Sequence, residues 1–352
     1  MIPVDCNFGS NSPRSVAAEA TARERAGFDG LWTLDGTRDP FLPVAVAATC
    51  THECLLGTGV AIAFARNPMT VAMQANDLQD ATAGRFVLGL GTQVRAHVER
   101  RFSMPWSKPA ARLGEFVRAV RAIWRAWEIG GPLRFEGEFY RYTLMPPAFA
   151  PPPNPFGYPP IFVGGVGERI VRAGAAVADG LLCHPLLTPG YLDDIILPAV
   201  QAGREARACG RPHSIVASVL VATGADQEEL DSATEAVRRQ IAFYASTPGY
   251  LPVLRHHGRS ALHPELHRLS RSGAWERMPD LIDDETLELF AIVGKPLDVV
   301  DALERRYGKR VARVTISTPY QLSARALAAI GHALPALDRT TGHAIVSIRR
   351  PT

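Results

Sequence analysis

Cysteine, net charge and long apolar runs are all scarce in this chain, and each scarcity removes a class of protein. Five cysteines (Cys6, Cys50, Cys54, Cys183 and Cys209), an odd number with no C-x-x-C spacing, argue against a disulfide framework or a structural zinc site and read as buried thiols. Lys and Arg total 38 against 35 Asp and Glu, a formal net charge of +3. The arginines are dispersed, as at Arg112, Arg118, Arg121 and Arg125, so no basic patch points to nucleic acid. No apolar run approaches the ~18 residues of a membrane span, and Met1-Ile2-Pro3-Val4-Asp5 opens without the flanks of a signal peptide. A cytoplasmic protein with neither a nucleic-acid nor a membrane partner is expected. Neither G-x-S-x-G nor G-x-x-x-x-G-K-[ST] occurs, which sets aside the usual acyl nucleophile and the phosphate-binding loop of nucleotide hydrolases.

What is present is abundant apolar sequence, 47% of 352 residues, enough for a large core. Strand-like apolar runs alternate with amphipathic helical patterns as far as about Pro319, the rhythm of a parallel sheet covered by helices. Strands are predicted at Ile2 to Cys6, Gly30 to Leu34, Leu55 to Val60, Arg85 to Leu90, Pro160 to Val163, Gly180 to Cys183, Ser214 to Val221 and Val311 to Ser317. Eight such units imply a (β/α)₈ TIM barrel, of class α/β, rather than an open doubly wound sheet. Ser12, Pro13 and Gly27 mark the first helix. In a later helix Leu113, Phe116, Val117, Val120, Ile123, Trp124 and Trp127 keep helical spacing as a core stripe, with Arg112, Glu115, Arg118, Arg121 and Arg125 on the other face. No repeat or low-complexity linker divides the chain, so residues 1–352 read as a single domain. Two insertions interrupt it, at about 130–158 and 246–284, and both are expected at the carboxyl ends of the strands, as lids or binding loops.

Pro160 to Leu182, PIFVGGVGERIVRAGAAVADGLL, reads as strand, glycine turn, helix and strand. Gly164, Gly165 and Gly167 permit positive φ and a close ligand approach, and the helix opening at Glu168 would turn free N–H groups toward a phosphate. A tight strand-to-helix connection accounts for the same glycines equally well.

Barrel chemistry sits where the strands end. Asp35 follows strand two and suits an acid, a base or a ring-binding acceptor; as a structural residue it would cap a helix or pair with Arg38 or Arg66. Gly91, Thr92 and Gln93 follow strand four, with His97 just beyond, and His184 follows strand six. Either histidine could carry a proton near neutral pH or be an ordinary hydrogen-bonded residue. His263 and His267 have metal-like spacing, but Pro264 lies between them, and His256-His257 is equally ambiguous. No metal is expected.

LGTGVAIAFARNP (Leu56 to Pro68), LQDATAGRFVLGLGTQ (Leu78 to Gln93) and the glycine-turn segment, in this order and spacing, resemble the bacterial luciferase-like superfamily. GLGTQVRAHVERRFSMPW and FYASTPGYLPVLRHHG resemble its branch dependent on coenzyme F420. The resemblance implies a flavin or deazaflavin ring over strand three, backed by a non-prolyl cis peptide at Gly59–Val60, and a phosphate at Gly164, Gly165, Val166 and Gly167. Asp35 matches the family's acidic position. Gly36 and Asn67 stand where many members have histidine, which unsettles the proton-transfer assignment. The implied activity is F420-dependent hydride transfer, with an FMN-dependent monooxygenase and a non-catalytic flavin-binding relative as alternatives. The implied partners are a small-molecule or peptide substrate and a second copy of the chain, with a partner reductase left open.

Overall fold

The computed structural model describes residues 1–9, 12–206 and 213–334; Cys209 lies outside them. Eight parallel strands close on themselves: β1 (Val4–Phe8), β2 (Gly30–Thr33), β3 (Leu55–Thr58), β4 (Phe86–Gly91), β5 (Ile161–Gly165), β6 (Gly180–Cys183), β7 (Ser214–Ala222) and β8 (Arg313–Ser317). Each pairs with the next, and β8 returns to β1 through Val4↔Val314 and Cys6↔Ile316. This is the expected TIM barrel. Its strands are apolar on both faces because helices cover the outside and side chains fill the inside.

The two faces separate with period two. Trp32, Val87, Phe162, Leu182 and Val216 form the cluster inside the barrel, while their neighbours Leu31, Phe86, Leu88, Ile161, Val163 and Leu181 pack outward against the helices. Two large rings fit inside because facing positions are glycine. A Cβ at Gly57 would strike the Trp32 ring, and one at Gly180 would lie 2.6 Å from the Phe162 ring. Below them the barrel closes on an ion pair. Arg313 Nε donates to Asp5 Oδ2 at 2.9 Å, its NH2 group donates to Oδ1, and Trp32 Nε1 also donates to Asp5 Oδ2 at 2.9 Å. Burial works against the Arg313 charge, but Asp5, with Asp29 and Cys54 nearby, outweighs it and holds the guanidinium above its ordinary pKa.

Most strand ends shift by one or two residues from the expectation, and two of them shape the carboxyl end. β3 stops at Thr58, whose hydroxyl bonds both the carbonyl and the N–H of Gly89, and pairing with β4 resumes only at Ala61–Ile62. Gly59 and Val60 form the bulge between, and their peptide bond is cis. β7 is nine residues long and outlasts β6, so Leu220–Ala222 pair instead with Ala291–Val293. Everything between these strands rises over the carboxyl end. The excursion therefore begins with the Gln227–Ala245 helix rather than at Ser246. Its proline-rich part is helical, at Leu251–His256 and Leu262–Arg271, around buried Val253, Leu254, Leu266, Leu269 and Met278.

The other insertion leaves the far end of the Pro109–Ile129 helix, at the amino end of the barrel, and climbs back along it. Its Phe135–Glu136/Arg141–Tyr142 hairpin is held by Glu115, which accepts from the N–H groups of Glu138, Phe139 and Tyr140 at 2.7–2.9 Å. Glu115 and Arg112, expected on the solvent face, are thus buried, and Arg112 lies over the Phe64 ring. On the Pro68–Ala81 helix Val71, Ala75 and Leu78, an apolar stripe that by sequence alone could equally meet a second copy, belong to the core of this chain. Among the described residues no helix is long and apolar enough to cross a membrane.

Candidate active site

Continuing the inward face of β6 from Gly180 and Leu182 leads to His184, and that of β4 and β5 leads to Gly91 and Gly164. The last two flank Val60: a Cβ at Gly91 would lie 2.5 Å from Val60 Cγ2, and one at Gly164 2.8 Å from Val60 Cγ1. Val60 thus tops the barrel interior between two strands that carry no side chain at its level.

The turn after β5 is open but not left-handed. None of Gly164, Gly165 and Gly167 is among the positive-φ glycines, so the conformational reason expected for them does not hold. For Gly164 and Gly165 the reason is space. Gly165 packs toward Ile170 and Val171, where a Cβ would meet Ile170 Cγ2 at 2.9 Å, whereas nothing lies within 4 Å of a Cβ at Gly167. Gly167 caps the Glu168–Ala175 helix, and no side chain caps it. The start of the helix therefore has no side-chain hydrogen bond, although the Ile170 N–H already bonds the Gly167 carbonyl at 3.2 Å. A cleft beside the turn is lined by Gly165, Val166, Cys183, His184, Leu187 and Tyr191.

His184 closes that cleft. Its Nδ1 accepts from the Leu186 N–H at 3.1 Å, which leaves the proton on Nε2. Its ring stacks on Tyr250 at 4.2 Å and meets Tyr244 edge-on at 4.4 Å. Burial holds its pKa down at about 3, so at neutral pH it is a neutral N–H donor. The same burial pushes the Tyr250 phenol up to about 12.

The other candidates lie apart. Asp35 Oδ2 accepts from the Ile62 N–H at 2.9 Å and pairs with Arg66, which also reaches Asp39 at 2.9 Å. This is the Arg66 partnership weighed as the structural reading of Asp35, and it fixes the turn after the Val60 bulge. Thr92 and Gln93 turn back on the main chain: Thr92 Oγ1 donates to the Gln93 carbonyl, Gln93 Oε1 accepts from the Val94 N–H, and Gln93 has φ +59. His97 is exposed on the short Arg95–Arg100 helix. The His263 and His267 rings stack on each other and point Nδ1 at the carbonyls of Ala245 and Ser246, at 2.8 and 3.0 Å. They cap the preceding helix. Cys6, Cys54 and Cys183 are buried free thiols, and Cys50 is partly exposed.

Tyr191 and Tyr250 are the side chains that motif reading missed as a pair. Each is the fourth residue of the same pentapeptide, Thr-Pro-Gly-Tyr-Leu, at Thr188–Leu192 and Thr247–Leu251. Both copies start a helical turn with proline in its first positions, and both bring a tyrosine to His184 or the glycine turn. The duplicated pentapeptide was the available signal.

Comparison with known proteins finds relatives along most of the chain. Residues 3–313 match the model of a family described as luciferase-like monooxygenase. An uncharacterized protein of Mycobacterium tuberculosis is 51% identical over 307 residues, covering 86% of this chain and 90% of that one. A 5,10-methylenetetrahydromethanopterin reductase of Archaeoglobus fulgidus is 26% identical over 304 residues, covering 84% and 87%. Among solved structures, the coenzyme F420 dependent tetrahydromethanopterin reductase from Methanopyrus kandleri superposes with a TM-score of 0.78 at 21% identity, covering 95% and 98%.

Proposed function

Because the chain belongs to the luciferase-like monooxygenase family, we propose that it is an oxidoreductase that holds coenzyme F420 at the carboxyl end of its barrel. The reaction is hydride transfer between the deazaflavin and a small-molecule or peptide substrate. The observation that carries this reading is the glycine turn. A helix start without a side-chain cap, with open space at the Gly167 Cβ position, fits a phosphate held by backbone N–H groups. The neighbouring bulge fits a flat ring, since Val60 stands between two glycines with no larger side chain beside it. The fold neighbour named for coenzyme F420 favours the deazaflavin.

When bound, the deazaflavin supplies the hydride at its C5. Gly164, Gly165, Val166 and Gly167 would hold its phosphate, and Gly59, Val60, Gly91, Thr92 and Gln93 would face its ring. His184 Nε2–H donates a hydrogen bond into the site without changing charge, while Tyr244 and Tyr250 exclude water from its ring. Proton transfer then falls to His97, exposed on the rim on the Arg95–Arg100 helix. Asp35 acts by holding Arg66 and the turn after Val60. The chain is proposed to pair with a second copy through exposed Leu42 and Met73, on neighbouring helices; light scattering should give twice the chain mass.

Parallel titration of the pure protein with coenzyme F420, FMN and NADPH tests the cofactor assignment. F420 is expected to bind at least about tenfold more tightly than FMN. Submicromolar FMN binding without F420 binding would assign the chain to flavin chemistry instead.

A further inference from the structure

Tyr191 is almost fully buried, and its hydroxyl donates to the carbonyl of Val166, in the middle of the glycine turn, at 3.2 Å. The Val166–Gly167 peptide is trans, since the cis bond among the described residues is Gly59–Val60. In a trans peptide the carbonyl and the following N–H point in opposite directions. Pinning the Val166 oxygen on the tyrosine side therefore aims the Gly167 N–H the other way, and no neighbour lies within 4 Å of the Cβ position at Gly167.

The tyrosine is itself fixed from the excursion. Thr188 Oγ1 accepts from the Tyr191 N–H at 3.0 Å, so its own hydrogen is available to His257 Nε2, 2.7 Å away. His256 packs edge-on against the Tyr191 ring and reaches Asp194 at 3.4 Å. A continuous chain of contacts thus runs from the helical cover, through Thr188 and Tyr191, to one peptide of the turn.

We propose that Tyr191 is a positioning residue for the anion site: its hydroxyl orients the Val166–Gly167 peptide so that the Gly167 N–H meets a phosphate, and Thr188 and His257 hold it there from the cover. This rests on the reading that a phosphate occupies the turn. A phosphate-bearing ligand must therefore depend on a hydroxyl that does not touch it, whereas the same ligand without phosphate must not.

The test is a fluorescence titration with two probes that differ only in that group, 5-deazariboflavin 5′-phosphate and 5-deazariboflavin, on wild type, Tyr191→Phe and Thr188→Val, each checked by thermal unfolding. Wild type should favour the phosphorylated probe by at least about tenfold. Tyr191→Phe should bring the preference to within about threefold by weakening that probe alone, and Thr188→Val should lower it selectively by a smaller factor. A preference kept in both variants, or an equal loss of both probes, would overturn the role of Tyr191 and leave the phosphate reading standing. Equal binding of the two probes by wild type would overturn that reading itself.

Discussion

The two ends of this barrel are made from the same eight strands and solve opposite problems. At the amino end a full charge pair is buried, yet the charges meet: Asp5 receives Arg313 and Trp32 and faces no solvent. At the carboxyl end the strands run out into glycine and polar residues, and the N–H groups of the turn at Gly167 have no side-chain cap. A buried pair of charges mainly makes its own disruption costly, while uncapped donors at a rim are what a ligand needs. Stability and binding are thus assigned to different ends, and substitutions should separate them.

The largest effect is expected at the closed end. Asp5→Ala leaves the Arg313 charge buried and unpaired and should destabilise the fold by about 3–5 kcal/mol in chemical denaturation. The affinity of the remaining folded protein for cofactor should be unchanged; a loss below about 1 kcal/mol would show that the pair is not the keystone of that end.

Two glycines of one turn sharpen the contrast. Gly165→Val drives a side chain into Ile170 and Val171 and should cost about 1–3 kcal/mol of stability. Gly167→Val points into open space and should leave stability within about 1 kcal/mol. Its cost is instead expected in binding, at least about tenfold or roughly 1.4 kcal/mol. Calorimetry beside a titration of the same samples distinguishes the two, and a reversed pattern would mean the turn is punctuation.

The smallest effect near neutrality is electrostatic. The His184 pKa is held at about 3 in the folded protein and returns to about 6.5 on unfolding. The stability associated with its neutral form is complete above about pH 6.5 and is lost as pH falls toward 3. At pH 6 the loss is about 0.8 kcal/mol. His184→Gln should remove that part of the slope; an unaltered pH profile would place the imidazole in solvent.

How far the sequence announced these ends also differs. The barrel was legible because eight apolar runs alternate with helical stripes, and the stripe from Leu113 to Trp127 is buried as its spacing predicts. The glycine turn was legible as composition but misread in mechanism, since Gly164 and Gly165 serve packing rather than backbone conformation. Gly59–Val60 was located by resemblance alone. Residues joined across long separations were hidden: Glu115 looks like a solvent-face residue until the hairpin at Glu138–Tyr140 folds onto it. Likewise the cover hid its helices behind prolines, because Pro252 and Pro264 fall in first turns, where proline is tolerated. Nothing local ties Tyr191 to Val166, or His257 to Thr188.

The most direct measurement is a structure of the protein with coenzyme F420 bound. The account predicts the phosphate within about 3 Å of the Gly167 N–H and the first turn of the Glu168–Ala175 helix, with the ring over Val60. A phosphate held elsewhere on the rim, with the glycine turn unengaged, would contradict it.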